Sequence, residues 1–190
     1  MRLLWVFCMT VLLSSCVIAK TVSLTSNAMK VTKSKDPVAS MNIVAPSAGA
    51  EVLVFADYVK GGIAGSSGII FSNHKRADFT YALTNDVRPE LEKVIGSVYP
   101  LSQDSSKKLN VNIDFKYYIP STGLVRNTIG IVMTAKVELL SADKIEKTDN
   151  FVIEEIEGYS TFPVTYPREE SFQSLFQKAL SKLAQEMSEK

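Results

Sequence analysis

Residues 109–119 read LNVNIDFKYYI, and the apolar residues recur at every second position. Leu109, Val111, Ile113, Phe115, Tyr117 and Ile119 fall on one side of an extended chain, with Asn110, Asn112, Asp114, Lys116 and Tyr118 on the other. A helix would scatter these residues around its circumference, so this is a strand with one buried face. Pro120-Ser121-Thr122-Gly123 supplies a turn, and a second alternation follows at Ile129, Ile131, Met133, Ala135, Val137 and Leu139. Ser141-Ala142-Asp143-Lys144 reads as another turn, and residues 151–156 as a third strand, which completes an antiparallel meander. A sheet that is apolar on one face must be covered by something else.

Two segments have the periodicity to cover it. Val87, Leu91, Val94, Ile95 and Val98 recur at helical spacing, with Asp86 placed to cap the helix and Pro89 in its first turn, where a missing N–H costs nothing. A longer helix is expected over residues 167–188. Pro167 suits its first position, Glu169 and Glu170 suit the positive end of its dipole, and an apolar stripe runs from Phe172 through Leu175, Phe176, Ala179, Leu180, Leu183 and Ala184 to Met187. Residues 52–59, VLVFADYV, give a further strand, with return partners at 69–71 and 79–83. The expected fold is therefore α+β: a two-layer sandwich in which an antiparallel sheet of about four or five strands carries two amphipathic helices on one face.

The N-terminus has a different character. Arg2 is the only charge ahead of Lys20, and residues 3–13, LLWVFCMTVLL, are almost wholly apolar. Eleven residues cannot span a bilayer as a helix, which takes about 20, but a basic start and a short apolar run with small residues after it describe a secretory signal. Two cleavage readings compete. Leu13-Ser14-Ser15-Cys16 resembles the bacterial lipobox, in which the cysteine receives lipid and becomes the new N-terminus. Val17-Ile18-Ala19 would instead suit ordinary signal peptidase and release a soluble chain starting at Lys20. The lipobox is preferred, because the three residues before Cys16 all fit. Val17 is not the aspartate of an inner-membrane retention signal, which favours the outer membrane. The expected organisation is a signal peptide over 1–15, a lipidated tether rich in Ser, Thr and Lys over 16–47, and one α+β domain over 48–190. Within the tether, Val22 and Leu24 make a weak alternation that can pin a short strand.

Composition narrows the function. Lys and Arg number 21 against 20 Asp and Glu, and loss of Arg2 with the signal leaves a mature charge near zero. That lacks the basic field of a nucleic-acid binder. Both cysteines, Cys8 and Cys16, lie in the first sixteen residues, so the remainder offers no disulfide, thiolate zinc site or thiol nucleophile. His74 is the lone histidine, and its neighbours Asn73, Lys75 and Arg76 mark a solvated loop. Glu154, Glu155 and Glu157 offer paired carboxylates, but Glu155 and Glu157 share one strand face and read as surface charge. Residues 61–68, GGIAGSSG, lack both the P-loop lysine and the G-x-S-x-G of a serine hydrolase. They are expected to form a flexible hairpin loop. Gly61, Gly62, Ile63, Gly65 and Gly68, followed by Ile69 and Ile70, can act as an adaptable contact for a partner or a lipid surface. No catalytic residue, cofactor or metal site is expected.

The order of elements from Thr84 to Met187, with DVRPELEKVIGSV, LNVNIDFKYYI, IGIVMTAKVELL and SLFQKALSKLAQEM in sequence behind a lipobox cysteine, resembles the small outer-membrane lipoproteins of the YajG type. That resemblance implies a periplasm-facing lipoprotein without known catalysis, and it carries over one functional residue, Cys16. The expectation is a non-catalytic, lipid-anchored envelope protein that binds other envelope proteins, with self-association open. The alternative is a periplasmic module that binds an amphiphile or glycan in a groove between sheet and helices.

Overall fold

The computed structural model describes residues 20–27, 34–55, 59–63, 66–70, 79–121, 126–160 and 167–190. These form the strands β1 (Thr21–Val22), β2 (Ser40–Val44), β3 (Glu51–Phe55), β4 (Val59–Ile63), β5 (Ser66–Ile70) and β6 (Phe79–Leu83). Helix α1 (Arg88–Val98), strands β7 (Lys107–Ser121), β8 (Arg126–Ser141) and β9 (Lys144–Ser160), and helix α2 (Glu169–Glu189) complete the order. The meander β7–β8–β9 is the backbone of the sheet and longer at both ends than its alternation indicates. A two-residue turn joins β8 to β9, with Ala142 and Asp143 at φ 47° and 62°, the sign required by the tight hairpin turns that match strand twist.

The fold is α+β as expected, but the sheet is mixed and larger than four or five antiparallel strands. It has seven strands, ordered β1-β6-β3-β7-β8-β9, with β2 on the same side of β7 as β3. β1 runs parallel to β6, while β2 and the end of β3 run parallel to β7. These pairings join segments far apart in sequence, whereas turn signals and alternation report only hairpins. β2 and β1 also come from the stretch expected as a tether, so residues 20–27 and 34–47 belong to the domain instead of leading to it. β4 and β5 pair antiparallel as a separate two-stranded sheet, so the hairpin expected at 61–68 is a paired ribbon from 59 to 70. Val59, placed at the end of a 52–59 strand by its sequence, instead opens β4.

Both helices lie on the apolar face of the sheet. α1 buries Leu91, Val94, Ile95 and Val98, and α2 buries its whole stripe from Phe172 to Met187. Phe115 meets Phe176 edge-on at 5.5 Å, and Tyr117 meets Phe172 at 4.7 Å. The Tyr117 hydroxyl donates to the Phe172 carbonyl at 3.0 Å, which satisfies it inside the core. The helix starts differ slightly from expectation. Val87, not Asp86, is the N-cap of α1, although the Arg88 amide still donates to Asp86 at 3.0 Å. α2 begins at Glu169, so Pro167 precedes it instead of opening it.

The opposite face is solvated over most of its length, but Tyr118 and Val132 are buried there. Tyr118, expected on the polar side, is on that side but fully buried. Its ring lies against Gly130, directly across on β8, and its hydroxyl donates to Glu154 on β9. Pro120 follows where the β7–β8 register shifts between Tyr118 and Ser121, a place that tolerates a residue without an N–H. A Cβ at Gly130 would sit 2.4 Å from the Tyr118 ring. Gly130→Ala is therefore expected to destabilise the fold by about 1–3 kcal/mol. At Gly96 an added Cβ meets nothing within 4 Å, and Gly96→Ala in the helix interior is expected to stabilise by about 0.5–1 kcal/mol. Chemical denaturation of both variants checks the pair, and an unchanged midpoint for Gly130→Ala would show that the ring moves aside freely.

Candidate functional site

The first described stretch, residues 20–27, is docked on the domain. The Lys20 carbonyl accepts from Ala82 at 2.7 Å and the Val22 carbonyl from Thr84 at 2.9 Å, which docks β1 on β6. Val22 and Leu24 are fully buried, so the weak alternation in the sequence marks a genuine inward face. Residues 23–27, just beyond β1, lie in no strand, and an extended backbone with unpaired N–H and C=O groups is costly where water is excluded.

Side chains from both helical regions supply the missing partners. The Leu24 N–H donates to Asn85 Oδ1 at 2.9 Å, and Asn85 Nδ2 donates back to the Leu24 carbonyl at 2.6 Å. Gln173 of α2 treats the next residue in the same way: the Thr25 N–H donates to its Oε1 at 2.8 Å, and its Nε2 donates to the Thr25 carbonyl at 2.6 Å. Each amide thus imitates a neighbouring strand. The Ser23 N–H donates to Glu169 at 2.9 Å, and the Ser26 N–H and hydroxyl donate to Glu90 Oε2 at 3.0 and 2.7 Å. Asn27 donates to Gln177 at 3.0 Å. Residues 34–38 then return along the far end of α1, where the Lys35 N–H donates to the Val98 carbonyl at 2.7 Å and the Val38 N–H to Pro100 at 2.9 Å. The N-terminal segment is a strap that holds both helices to the sheet.

This strap was not legible from its own sequence. The signal was in its receivers: Glu169, Gln173 and Gln177 recur every fourth residue, so they form a polar stripe beside the apolar one on α2. Hydrogen bonds from the Ser26 hydroxyl and amide lead the causes that hold the Glu90 carboxyl below the usual carboxylate range, with Lys93 assisting against partial burial.

Beyond the strap, a groove of about 610 Å³ runs along the outer flank of α2, bordered by Ser26, Asn27, Gln177, Ser181, Gln185 and Glu155. Glu155 and Glu157 share a face as expected, but they turn to α2 and not to bulk water. Lys182 lies 3.3 Å from Glu155 and Lys178 lies 2.6 Å from Glu157, whose other partner is the Ser174 hydroxyl at 2.6 Å. Burial raises the Glu157 pKa, but the bonds from Lys178 and Ser174 and the Lys178 charge outweigh it, leaving the carboxyl lowered overall. These carboxylates stitch strand to helix. Among the described residues, no group of three or more His, Cys, Asp or Glu side chains is placed to hold a metal.

Of the residues singled out in the sequence, Gly61, Gly62 and Ile63 lie in β4 and Gly68 in β5. Cys16, Gly65 and His74 lie outside the described residues. No family model matches the sequence, and no curated protein matches it. Similar solved structures include protein XCC0632 of Xanthomonas campestris, from the DUF330 family, at 14% identity and a TM-score of 0.45, covering 89% of this chain and 90% of that one. A Caulobacter crescentus CB15 protein, provisionally assigned as a lipoprotein, aligns at 14% identity and a TM-score of 0.32 over 54% of this chain and 74% of its own. A minor lipoprotein of Acinetobacter baumannii aligns at 11% identity and 0.38, covering 80% and 88%. At these TM-scores the likenesses establish neither a shared fold nor a shared role, and none of the three is described as a YajG-type protein.

Two outcomes are expected for the strap. Asn85→Ala and Gln173→Ala each leave two strap backbone groups to water, and each is expected to cost about 1–2 kcal/mol, with hydrogen exchange rising first at residues 22–27. Because the Glu90 pKa is depressed by folding, its contribution is present above the ordinary glutamate range and is lost as pH falls through the folded value. Protection of the Ser26 amide should therefore weaken in acid, and Glu90→Gln should flatten that dependence. Protection independent of pH in the parent protein would refute the coupling.

Proposed function

We propose that this chain is a non-catalytic, lipid-anchored protein of the bacterial cell envelope, held at the outer membrane through Cys16 with its domain in the periplasm. The observation that carries this reading is Leu13-Ser14-Ser15-Cys16 directly behind the apolar run 3–13. The strap is compatible with it, since Lys20, four residues after that cysteine in sequence, is already hydrogen-bonded to β6. Its role is that of an accessory subunit for other envelope proteins. Confinement to a membrane surface raises its effective concentration near partners embedded there. Val152 and Ile156, both about half exposed and on the same face of β9, offer apolar contacts for such a partner. The carboxylate pairs that an enzyme would need, Glu155 and Glu157, are engaged by α2 lysines.

The second reading, a module for an amphiphile or glycan, is favoured only in part by the groove along α2. That groove is bordered by amides, hydroxyls and charges and lies outside the helix layer. It suits a glycan better than an amphiphile, which requires an apolar cavity between the layers.

Envelope fractionation with mass spectrometry of the N-terminal peptide tests the proposal. The parent protein should co-fractionate with the outer membrane and carry acyl groups on Cys16, whereas Cys16→Ser should appear in the soluble periplasm. Crosslinked pull-down of the parent should recover a few stoichiometric envelope proteins, and Val152→Asp with Ile156→Asp should reduce that recovery. A free terminus at Lys20 in the parent would overturn the anchor.

A further inference from the structure

Resting on the Cys16 anchor, strand direction fixes which end of the domain meets the membrane. β1 is parallel to β6, so the chain ahead of Thr21 lies at the end from which the chain enters β6 at Phe79. β3 is antiparallel to β6, so it leaves at that same end, at Phe55. The β4–β5 sheet lies between those two points in the chain, with Val59 four residues beyond Phe55. Cys16 lies four residues ahead of Lys20, and four extended residues reach about 14 Å at most. A lipid held on so short a lead brings this end of the sheet against the leaflet that carries it.

The hairpin at this end has the character of a membrane contact. Its cross-strand pairs are Val59 with Ile70, Lys60 with Ile69, Gly61 with Gly68, Gly62 with Ser67 and Ile63 with Ser66. The described strands hold one charge, Lys60, and several β-branched residues and glycines. An isolated two-stranded hairpin is marginal in water and needs a surface to pack on. At five residues each, β4 and β5 extend about 17 Å, well short of the 9–11 residues with which a strand crosses a bilayer. Two strands with open edges also cannot leave their backbone groups in hydrocarbon. We propose that the β4–β5 hairpin, brought to the Cys16-bearing end of the domain by the β1–β6–β3 strand directions, lies in the headgroup layer of the anchoring membrane. Lys60 and the exposed Lys20 at this end favour anionic lipid.

Position-specific fluorescence on the full acylated protein, reconstituted in phosphatidylethanolamine–phosphatidylglycerol vesicles, tests this. No cysteine follows Cys16, and acylation blocks that one, so Ser67→Cys and Asp143→Cys each accept one environment-sensitive dye. The expected result is a blue-shifted dye at position 67 that spin-labelled lipids quench, and a dye in the β8–β9 turn at position 143 that they leave alone. Ile63→Asp with Ile69→Asp should abolish the shift at 67 while the acyl chains keep the protein on the vesicles. A solvent-like dye at 67 on vesicle-bound protein, or equal quenching at 67 and 143, overturns the hairpin proposal and leaves the anchor standing. An N-terminal peptide without acyl groups overturns the anchor itself.

Discussion

The domain is organised by a fifteen-residue strand that is apolar on one side only. β7 commits the sheet to an inner and an outer face, and β8 and β9 follow its register except for one shift in each ladder, between Tyr118 and Ser121 and between Leu139 and Leu140. Once that face exists it must be covered, and the stripes on α1 and α2 are the surfaces available to cover it. The aromatic contacts of Phe115 and Tyr117 with Phe176 and Phe172 fix where α2 lies along the strands. Lysines then secure the outer flank of α2, with Lys182 of the helix near the Glu154 carbonyl at 3.4 Å and Lys190, just past its end, near that of Asn150 at 3.3 Å. Charge beside the outermost strand also discourages unplanned pairing at that edge.

Where a single residue decides its environment locally, the sequence is a good guide. The inward residues of β7, the α1 stripe, the α2 stripe and the inward residues of β8 except the half-buried Leu139 are buried as their spacing indicates, because periodicity reports which side of an element faces the core. What it cannot report is which distant segment lies alongside. The parallel partners β1 and β2 are two and five residues long, lie in a polar stretch and reach the sheet only through long excursions. Tyr118 is the instructive local exception: alternation assigns its face correctly, yet a glycine opposite lets its ring lie down against the sheet, and no pattern along one strand encodes what stands across from it. The strap was hidden for a related reason. Its binding partners Asn85, Glu90, Glu169 and Gln173 look like ordinary surface polar residues until the chain they receive is placed between them.

The strap also alters the meaning of the N-terminal region. A loose tether would decouple anchor from domain, allowing every orientation within its reach. Here Lys20 is already bonded to β6, and the next few residues are read, backbone group by backbone group, by side chains of both helical regions. The position at which the chain departs is therefore a fixed point of the fold.

That fixed point has a mechanical consequence. A pull on the chain ahead of Lys20, directed along β1, loads the β1–β6 bonds and the amide clamps of Asn85 and Gln173 together, in shear, instead of peeling them one after another. Tension applied ahead of Lys20 is thereby passed to the sheet and to both helices at once. A load on that lead reaches the core through backbone bonded group by group, not through a hinge.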